Sequence, residues 1–148
     1  MKRLLFAIAA LFVSVSLFAQ NDKGDNILGI YVCGTGKDAY KVKFVKLTDG
    51  NYRASICWVA DPYEPDGSLS RDVKNPDKSL RDTPMDKVVL INGLKYNAAK
   101  QQWDGAKIYD PTRGIRVNVT VKFDDPKTLK VRGTVLGIGE TAIWVREK

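Results

Sequence analysis

The chain has 148 residues, 44% of them hydrophobic, and carries 24 lysines and arginines against 17 acids for a net charge of +7. It has no histidine, which excludes Ser-His-Asp and Cys-His catalysis, histidine zinc sites and the usual acid–base group near neutrality. Basic residues are interspersed with acids instead of running in blocks, the pattern of a solvated surface and not of a nucleic-acid patch.

Met1-Lys2-Arg3 makes a positive start, Leu4 to Ala19 is apolar apart from Ser14 and Ser16, and the polar stretch Gln20-Asn21-Asp22-Lys23 follows. This order predicts a secretory signal peptide over residues 1–19, cut after Ala19. At about 16 residues the apolar run is shorter than the roughly 20 of a spanning helix. Removing Lys2 and Arg3 lowers the charge from +7 to +5, and residues 20–148 suit one domain. The expected location is periplasmic or secreted, with no membrane span after leader removal. Cys33 and Cys57 then meet an oxidising compartment, where a disulfide is permitted. It would close a loop of about 25 residues and add roughly 3 kcal/mol. Their predicted strands are separated by a third, however, which disulfide geometry disfavours.

Ile27 to Cys33 is the first predicted strand. In the second, Tyr40, Val42 and Phe44 alternate with Lys41 and Lys43, and Val45 and Leu47 take the opposite phase. That slip predicts a bulge between Phe44 and Val45. Asp49-Gly50-Asn51 turns the chain into Tyr52 to Val59. The alternation then stops from Asp61 to Pro84, in the polar, proline-punctuated stretch DPYEPDGSLSRDVKNPDKSLRDTP. Connections beyond about 12–15 residues are uncommon in compact domains and are usually functional or disordered. One helical turn is expected near Lys78 to Arg81.

Lys87 to Leu94 and Gln102 to Tyr109 follow as strands. The strongest pattern is Ile115, Val117, Val119, Val121 and Phe123 alternating with Arg116, Asn118, Thr120 and Lys122, a half-buried strand by its two-residue period. Asp124 to Lys127 is a turn by composition. Leu129, Val131, Gly133 and Val135 alternate beyond it, and Glu140 to Arg146 completes eight strands. The fold class is therefore all-β, solved by a sandwich or by a closed up-and-down barrel. Closure removes exposed edges, so an eight-stranded antiparallel up-and-down barrel with one long loop after strand 3 is the expected architecture. Arg116, Lys122, Lys130 and Arg132 oppose the valines, which disfavours an outer-membrane barrel.

Three stretches carry a family resemblance: Asp72 to Arg81 with Pro84 after it; Trp103-Asp104-Gly105-Ala106-Lys107-Ile108-Tyr109-Asp110-Pro111 with Gly114; and Leu129 to Gly133, closing with Trp144-Val145-Arg146. Together they resemble the exported bacterial family named domain of unknown function 2147, across essentially all of residues 20–148. The resemblance implies a lipocalin-like (calycin) fold and no established activity. Lipocalin-like chains often open with Gly-x-Trp, whereas here Gly29-Ile30-Tyr31 has tyrosine at the aromatic position. By the same resemblance Arg146 stacks over Tyr31 and closes one barrel end beside Trp144, a cation–π contact of about 0.5–2 kcal/mol.

Each polar candidate has two readings. Asp72, Asn75 and Asp77 offer oxygen ligands to calcium, but Asn75-Pro76-Asp77 is also an ordinary turn, and no metal or other cofactor is implied. Lys74 and Arg81 either pin the long segment to the barrel or face an anionic ligand. Asp110 to Gly114 reads as a hairpin turn, and Trp103 as core or pocket wall.

Three functions fit these residues. The preferred one is a non-enzymatic, monomeric envelope protein binding a small apolar or amphipathic ligand with an anionic head. Lys74, Asn75, Asp77, Arg81, Trp103, Tyr109, Asp110 and Arg132 are its candidate binding residues. An envelope interaction protein with a filled barrel, docking a partner through residues 61–84, is the alternative. A hydrolase working through Asp72, Asp77 and Asp110 is the third, requiring carboxylates roughly 5–10 Å apart and one raised pKa. An open interior favours the first, a filled one the second.

Overall fold

Residues 20–148 are described by a computed structural model, so the predicted leader lies outside the described residues. Eight antiparallel strands follow one another around a closed barrel. They are β1 (Gly29–Cys33), β2 (Tyr40–Lys46), β3 (Tyr52–Val59), β4 (Val89–Asn97), β5 (Gln102–Asp110), β6 (Ile115–Asp125), β7 (Thr128–Val135) and β8 (Ile138–Arg146). Pairing of Tyr31 with Arg146 and Cys33 with Trp144 joins β1 to β8 and leaves no free edge. The two-residue period of β6 is realised as expected: Val119, Val121 and Phe123 are buried, whereas Arg116 and Lys122 are exposed. Among the described residues no helix is long and apolar enough to cross a membrane.

One end of the barrel is solid. Residues 20–28 cross it, and Gly24–Ile27 forms a 3-10 turn there, so the first strand begins at Gly29 and not at Ile27. Backbone carbonyls of this segment are claimed by side chains from the barrel. Trp103 Nε1 donates to Gly24 O at 3.0 Å, Tyr31 Oη to Ile27 O at 2.9 Å, and Arg146 to the carbonyls of Asn26 and Leu28. Asn21 exchanges two hydrogen bonds with the Phe123 backbone, acting as one rung of strand pairing. Beneath lie Tyr31, Phe44, Trp103 and Phe123, with successive ring centroids 5.5 to 6.4 Å apart. The Arg146 guanidinium stands 5.2 Å from both the Tyr31 and the Phe123 rings.

Two bulges differ from expectation or go beyond it. The predicted slip at Phe44/Val45 is absent: Phe44 pairs with Ala54 and Val45 with Arg53 in unbroken register. Val45 is simply an apolar residue on the outer face. The extra residue sits in β3, where Lys41 pairs with Trp58 and Val42 with Ile56, leaving Cys57 unpaired between them. Cys57 is consequently exposed, Cys33 is buried, and both thiols are free. The second bulge is in β5, between Trp103↔Val121 and Ala106↔Val119, with Gly105 at φ +75 supplying the left-handed backbone. It inverts the phase of the strand: Trp103 points inward, but farther along Ile108 takes the inner side and Tyr109 the outer.

The 61–84 segment is ordered by its own hydrogen bonds. Tyr63 bridges Leu69, Arg71 bridges Pro84, and the expected helical turn is a 3-10 turn over Lys78–Leu80. The Asp77 carboxylate caps that turn, accepting from the Ser79 N–H at 2.9 Å.

Candidate functional site

The other end of the barrel is open. The connections β1–β2, β3–β4, β5–β6 and β7–β8 all lie there, because each odd strand of an up-and-down barrel ends at the same rim. Between them lies a cavity of about 1190 Å³. Its walls are Ile56, Leu90, Ile108, Val117, Val131 and Ala142, with Trp144 at the floor.

The opening follows from side-chain size. Along β8 the inward positions read Ala142, Trp144 and Arg146 towards the solid end; along β7 they read Gly133, Val131 and Leu129. Bulk therefore increases steadily towards Tyr31 and Phe123. At the open end, one glycine and one alanine leave facing walls that side chains do not bridge.

At the floor, Tyr40, Cys33 and Trp144 form one row, since Cys33 pairs with Tyr40 on one side and with Trp144 on the other. Trp144 is 1% exposed, yet its Nε1–H has no hydrogen-bond partner. The Tyr40 hydroxyl is close enough to feel this N–H and Cys33, although its geometry falls short of a hydrogen bond. Burial pushes the Tyr40 hydroxyl up from 10.0 to about 12, with the neighbouring Cys33 adding to it. Burial likewise raises the Cys33 thiol from 9.0 to about 12. At the solid end Tyr31 reaches about 12, desolvation outweighing the opposing charge of Arg146.

These shifts fix an alkaline limit. Each group is neutral when protonated, and its folded pKa lies above the unfolded one. Above pH 9 the unfolded chain therefore gives up protons that the folded chain keeps, and folding loses stability as pH rises to about 12. Urea midpoints should be level between pH 7 and 8.5 and fall steadily from pH 9 to 11. A midpoint that holds or rises over that range would show these groups to be solvated.

The rim is acidic. Asp38, Asp61, Glu64, Asp110 and Glu140 line the mouth together with Lys37 and Arg113, five carboxylates against two cations. Arg113 is shared, with Nε 2.7 Å from Asp110 and a second nitrogen 3.7 Å from Glu140. Burial works to raise the Asp110 pKa, but the Thr112 hydroxyl and Arg113 outweigh it, and the carboxyl stays below its usual range.

Most sequence-derived candidates lie elsewhere. Trp103 is fully buried at the solid end and is not a pocket wall. Arg132 projects outward beside Thr141. Lys74 donates to Thr112 O at 2.8 Å and Arg81 Nε to Asn75 O at 2.7 Å, so both hold the long segment and face no ligand in the barrel. Asn75 and Asp72 are buried beneath that segment, where Asn75 Nδ2 donates to one Asp72 oxygen and Tyr109 Oη to the other. With both oxygens on hydrogen-bond donors, the Asp72 carboxylate is arranged as a polar anchor and not as a cation ligand; among the described residues no cluster of three potential metal ligands occurs. Asp77 caps its turn, and Ser79 donors hold its carboxyl below the usual range. Of the eight, only Tyr109 and Asp110 reach the cavity's edge. The sequence reading missed Tyr40 at the floor, gave Trp144 to barrel closure alone, and missed the rim acids other than Asp110. The one available signal was that the odd connections share an end.

A closed eight-stranded up-and-down barrel, solid at one end and hollow at the other, defines a lipocalin-like protein. The chain belongs to the family described as "Uncharacterized protein conserved in bacteria (DUF2147)", whose model matches residues 21–146. Among solved structures it is similar to protein HP1028 of the human pathogen Helicobacter pylori, described as belonging to the lipocalin family. The two are 26% identical with a TM-score of 0.65, over 82% of this chain and 83% of that one. No curated protein matches the chain.

Proposed function

We propose that this protein is a non-enzymatic, exported binding barrel of the cell envelope that takes one small, largely apolar molecule into its open end. The cavity of about 1190 Å³ carries the reading. It slightly exceeds the roughly 300–1,000 Å³ of typical ligand pockets, is walled by aliphatic side chains, and narrows onto a tryptophan. The leader-like order of residues 1–19, a positive start followed by an apolar run, supports export. The interaction alternative has less support: its barrel would be filled, Asn75, Asp77 and Arg81 are occupied within the 61–84 segment, and Lys74 is bonded to the Thr112 carbonyl of the β5–β6 turn. A carboxylate mechanism needs a raised pKa, whereas Asp77 and Asp110 are both lowered.

N-phenyl-1-naphthylamine, a neutral apolar dye that brightens on leaving water, should bind the protein of residues 20–148 at about one molecule per chain. In Ala142→Trp, where an indole projects into the cavity, affinity should fall at least about tenfold. Dye that stays dark with the wild-type protein, or binds Ala142→Trp equally well, would remove the barrel interior as the site.

A further inference from the structure

The ligand's charge and orientation can be read from the two ends of the cavity, given the binding reading above. At the floor, a buried indole N–H without a partner is costly, because such donors are almost always satisfied. Trp144 Nε1 is that donor, and Trp144 and Tyr40 both line the cavity. No lysine or arginine lies among the floor and wall residues, so a carboxylate seated there would lose its hydration with no countercharge. Burial already pushes the Tyr40 hydroxyl and the Cys33 thiol up to about 12 there, the same penalty acting on the protein's own groups.

The mouth acts in the same direction. Arg113 is held between Asp110 and Glu140, leaving Lys37 alone against Asp38, Asp61 and Glu64. With net negative charge around a low-dielectric opening, anions are repelled on approach and cations drawn in. This reverses the anionic head that the sequence reading expected, whose partners were to be Lys74, Arg81 and Arg132.

We propose that the barrel selects a non-anionic, elongated apolar molecule that enters with a neutral oxygen acceptor (a ketone, ester, amide or ether) leading. The acceptor receives the Trp144 indole hydrogen as the adjoining Tyr40 side chain turns aside, because Nε1 is otherwise closed to solvent. The apolar body lies along Ile56, Ile108, Val117 and Val131, and an uncharged or cationic end remains at the acidic mouth.

Three molecules of nearly one shape separate these terms: 2-ethylnaphthalene, 2-acetylnaphthalene and 2-naphthoate, each competing with N-phenyl-1-naphthylamine at pH 7.5. The acetyl compound should compete about fivefold better than the ethyl compound, the span of one net hydrogen bond. The naphthoate should compete at least about tenfold worse than the acetyl compound. In an amide correlation spectrum, one of the three indole N–H signals, of Trp58, Trp103 and Trp144, should move downfield with the acetyl compound and not with the ethyl one. Trp144→Phe should abolish the acetyl preference and leave the ethyl compound's affinity nearly intact; a purely structural role would weaken both alike. Asp61→Asn with Glu64→Gln should improve naphthoate selectively. Should Trp144→Phe not fold, the wild-type ranking, the indole shift and the mouth variant decide without it. Naphthoate competing as well as the acetyl compound, or no indole shift on acetyl binding, overturns the proposal while leaving a binding barrel. Failure of the dye itself to bind overturns the binding reading and the proposal together.

Discussion

Trp103→Ala is expected to destabilise the protein by about 4 kcal/mol, the middle of the range for deleting a buried large aromatic. In a domain of this size that lowers the melting temperature by on the order of 12 °C. The effect is large because Trp103 works in two ways. Its ring fills the solid end, 5.2 Å from the Tyr96 ring and 5.8 Å from that of Phe123. Its Nε1–H also ties Gly24 O, and hence the crossing segment 20–28, to the barrel. Trp103→Phe keeps most of the packing and loses the tie, and should cost about half as much. Urea unfolding followed by circular dichroism measures both. Dye binding by the protein that remains folded should not change, since the cavity lies at the other end. A loss below about 1 kcal/mol would mean that the aromatic cluster is not the barrel's main core.

That separation of ends explains what the sequence could disclose. Periodicity is a local signal, and β6 and β7 were legible because Val119, Val121, Phe123, Leu129 and Val131 keep strict alternation with charged neighbours. The eight strands and their closure follow from such runs. Phase breaks are less legible. At Val45 an outward valine imitated a slip, since one apolar residue on a solvated face looks the same as a bulge. At Gly105 a real bulge left the hydrophobic count unchanged, and it turned Tyr109 outward beneath the 61–84 segment, so that only its edge reaches the cavity. Arg146 over Tyr31 depended on a positional resemblance, and its pairing with Phe123 as well had no sequence signal.

The cavity was less legible still, for a geometric reason. Its rim acids come one or two at a time from four separate places, Asp38 and then Asp61 with Glu64 from two connections, Asp110 from the end of β5 and Glu140 from β8, so no window of sequence contains the cluster. Its floor is a row across three strands, with Cys33 between Tyr40 and Trp144. Its emptiness depends on Gly133 and Ala142 facing inward where Phe123 and Trp144 fill the other half. Conversely, the conspicuous polar run of 61–84 spends most of its side chains on its own hydrogen bonds and on tying itself to the barrel through Lys74 and Asp72, while Asp61 and Glu64 turn to the mouth. A long polar connection is locally unusual, but satisfying its own backbone consumes the very groups that drew attention to it.

How that segment is held can be tested at Asp72. It is 1% exposed, and it joins the segment's Asn75 to the barrel's Tyr109 through contacts of 2.8 and 2.7 Å. Hydrogen bonds to a charged group contribute about 1.5–3 kcal/mol each, and stranding buried donors costs more than removing a whole pair. Asp72→Ala should therefore cost about 3 kcal/mol, and most of that loss should fall on attachment of the segment. Gly114 fits beneath it because any Cβ there would overlap the Lys74 carbonyl, so loosening the segment also frees the β5–β6 turn. Asp72→Asn should cost less, about 1–2 kcal/mol, yet not be silent. Its amide can keep an oxygen towards Asn75 Nδ2 only by turning its NH2 to the Tyr109 hydroxyl, which then accepts and loses the partner for its own hydrogen. Asn75 cannot turn over instead without losing the bond from the Asp77 N–H to its Oδ1 at 2.9 Å. Limited trypsin digestion reports this directly, because Arg71, Lys74, Lys78 and Arg81 all lie in the segment. Cleavage there should accelerate in Asp72→Ala under conditions where the wild type resists. Adding Tyr109→Phe removes the stranded hydroxyl and should recover part of the loss. If Asp72→Ala resists trypsin as the wild type does, the backbone contacts of Lys74 and Arg81 are sufficient to hold the segment, and Asp72 is a passenger in the wall.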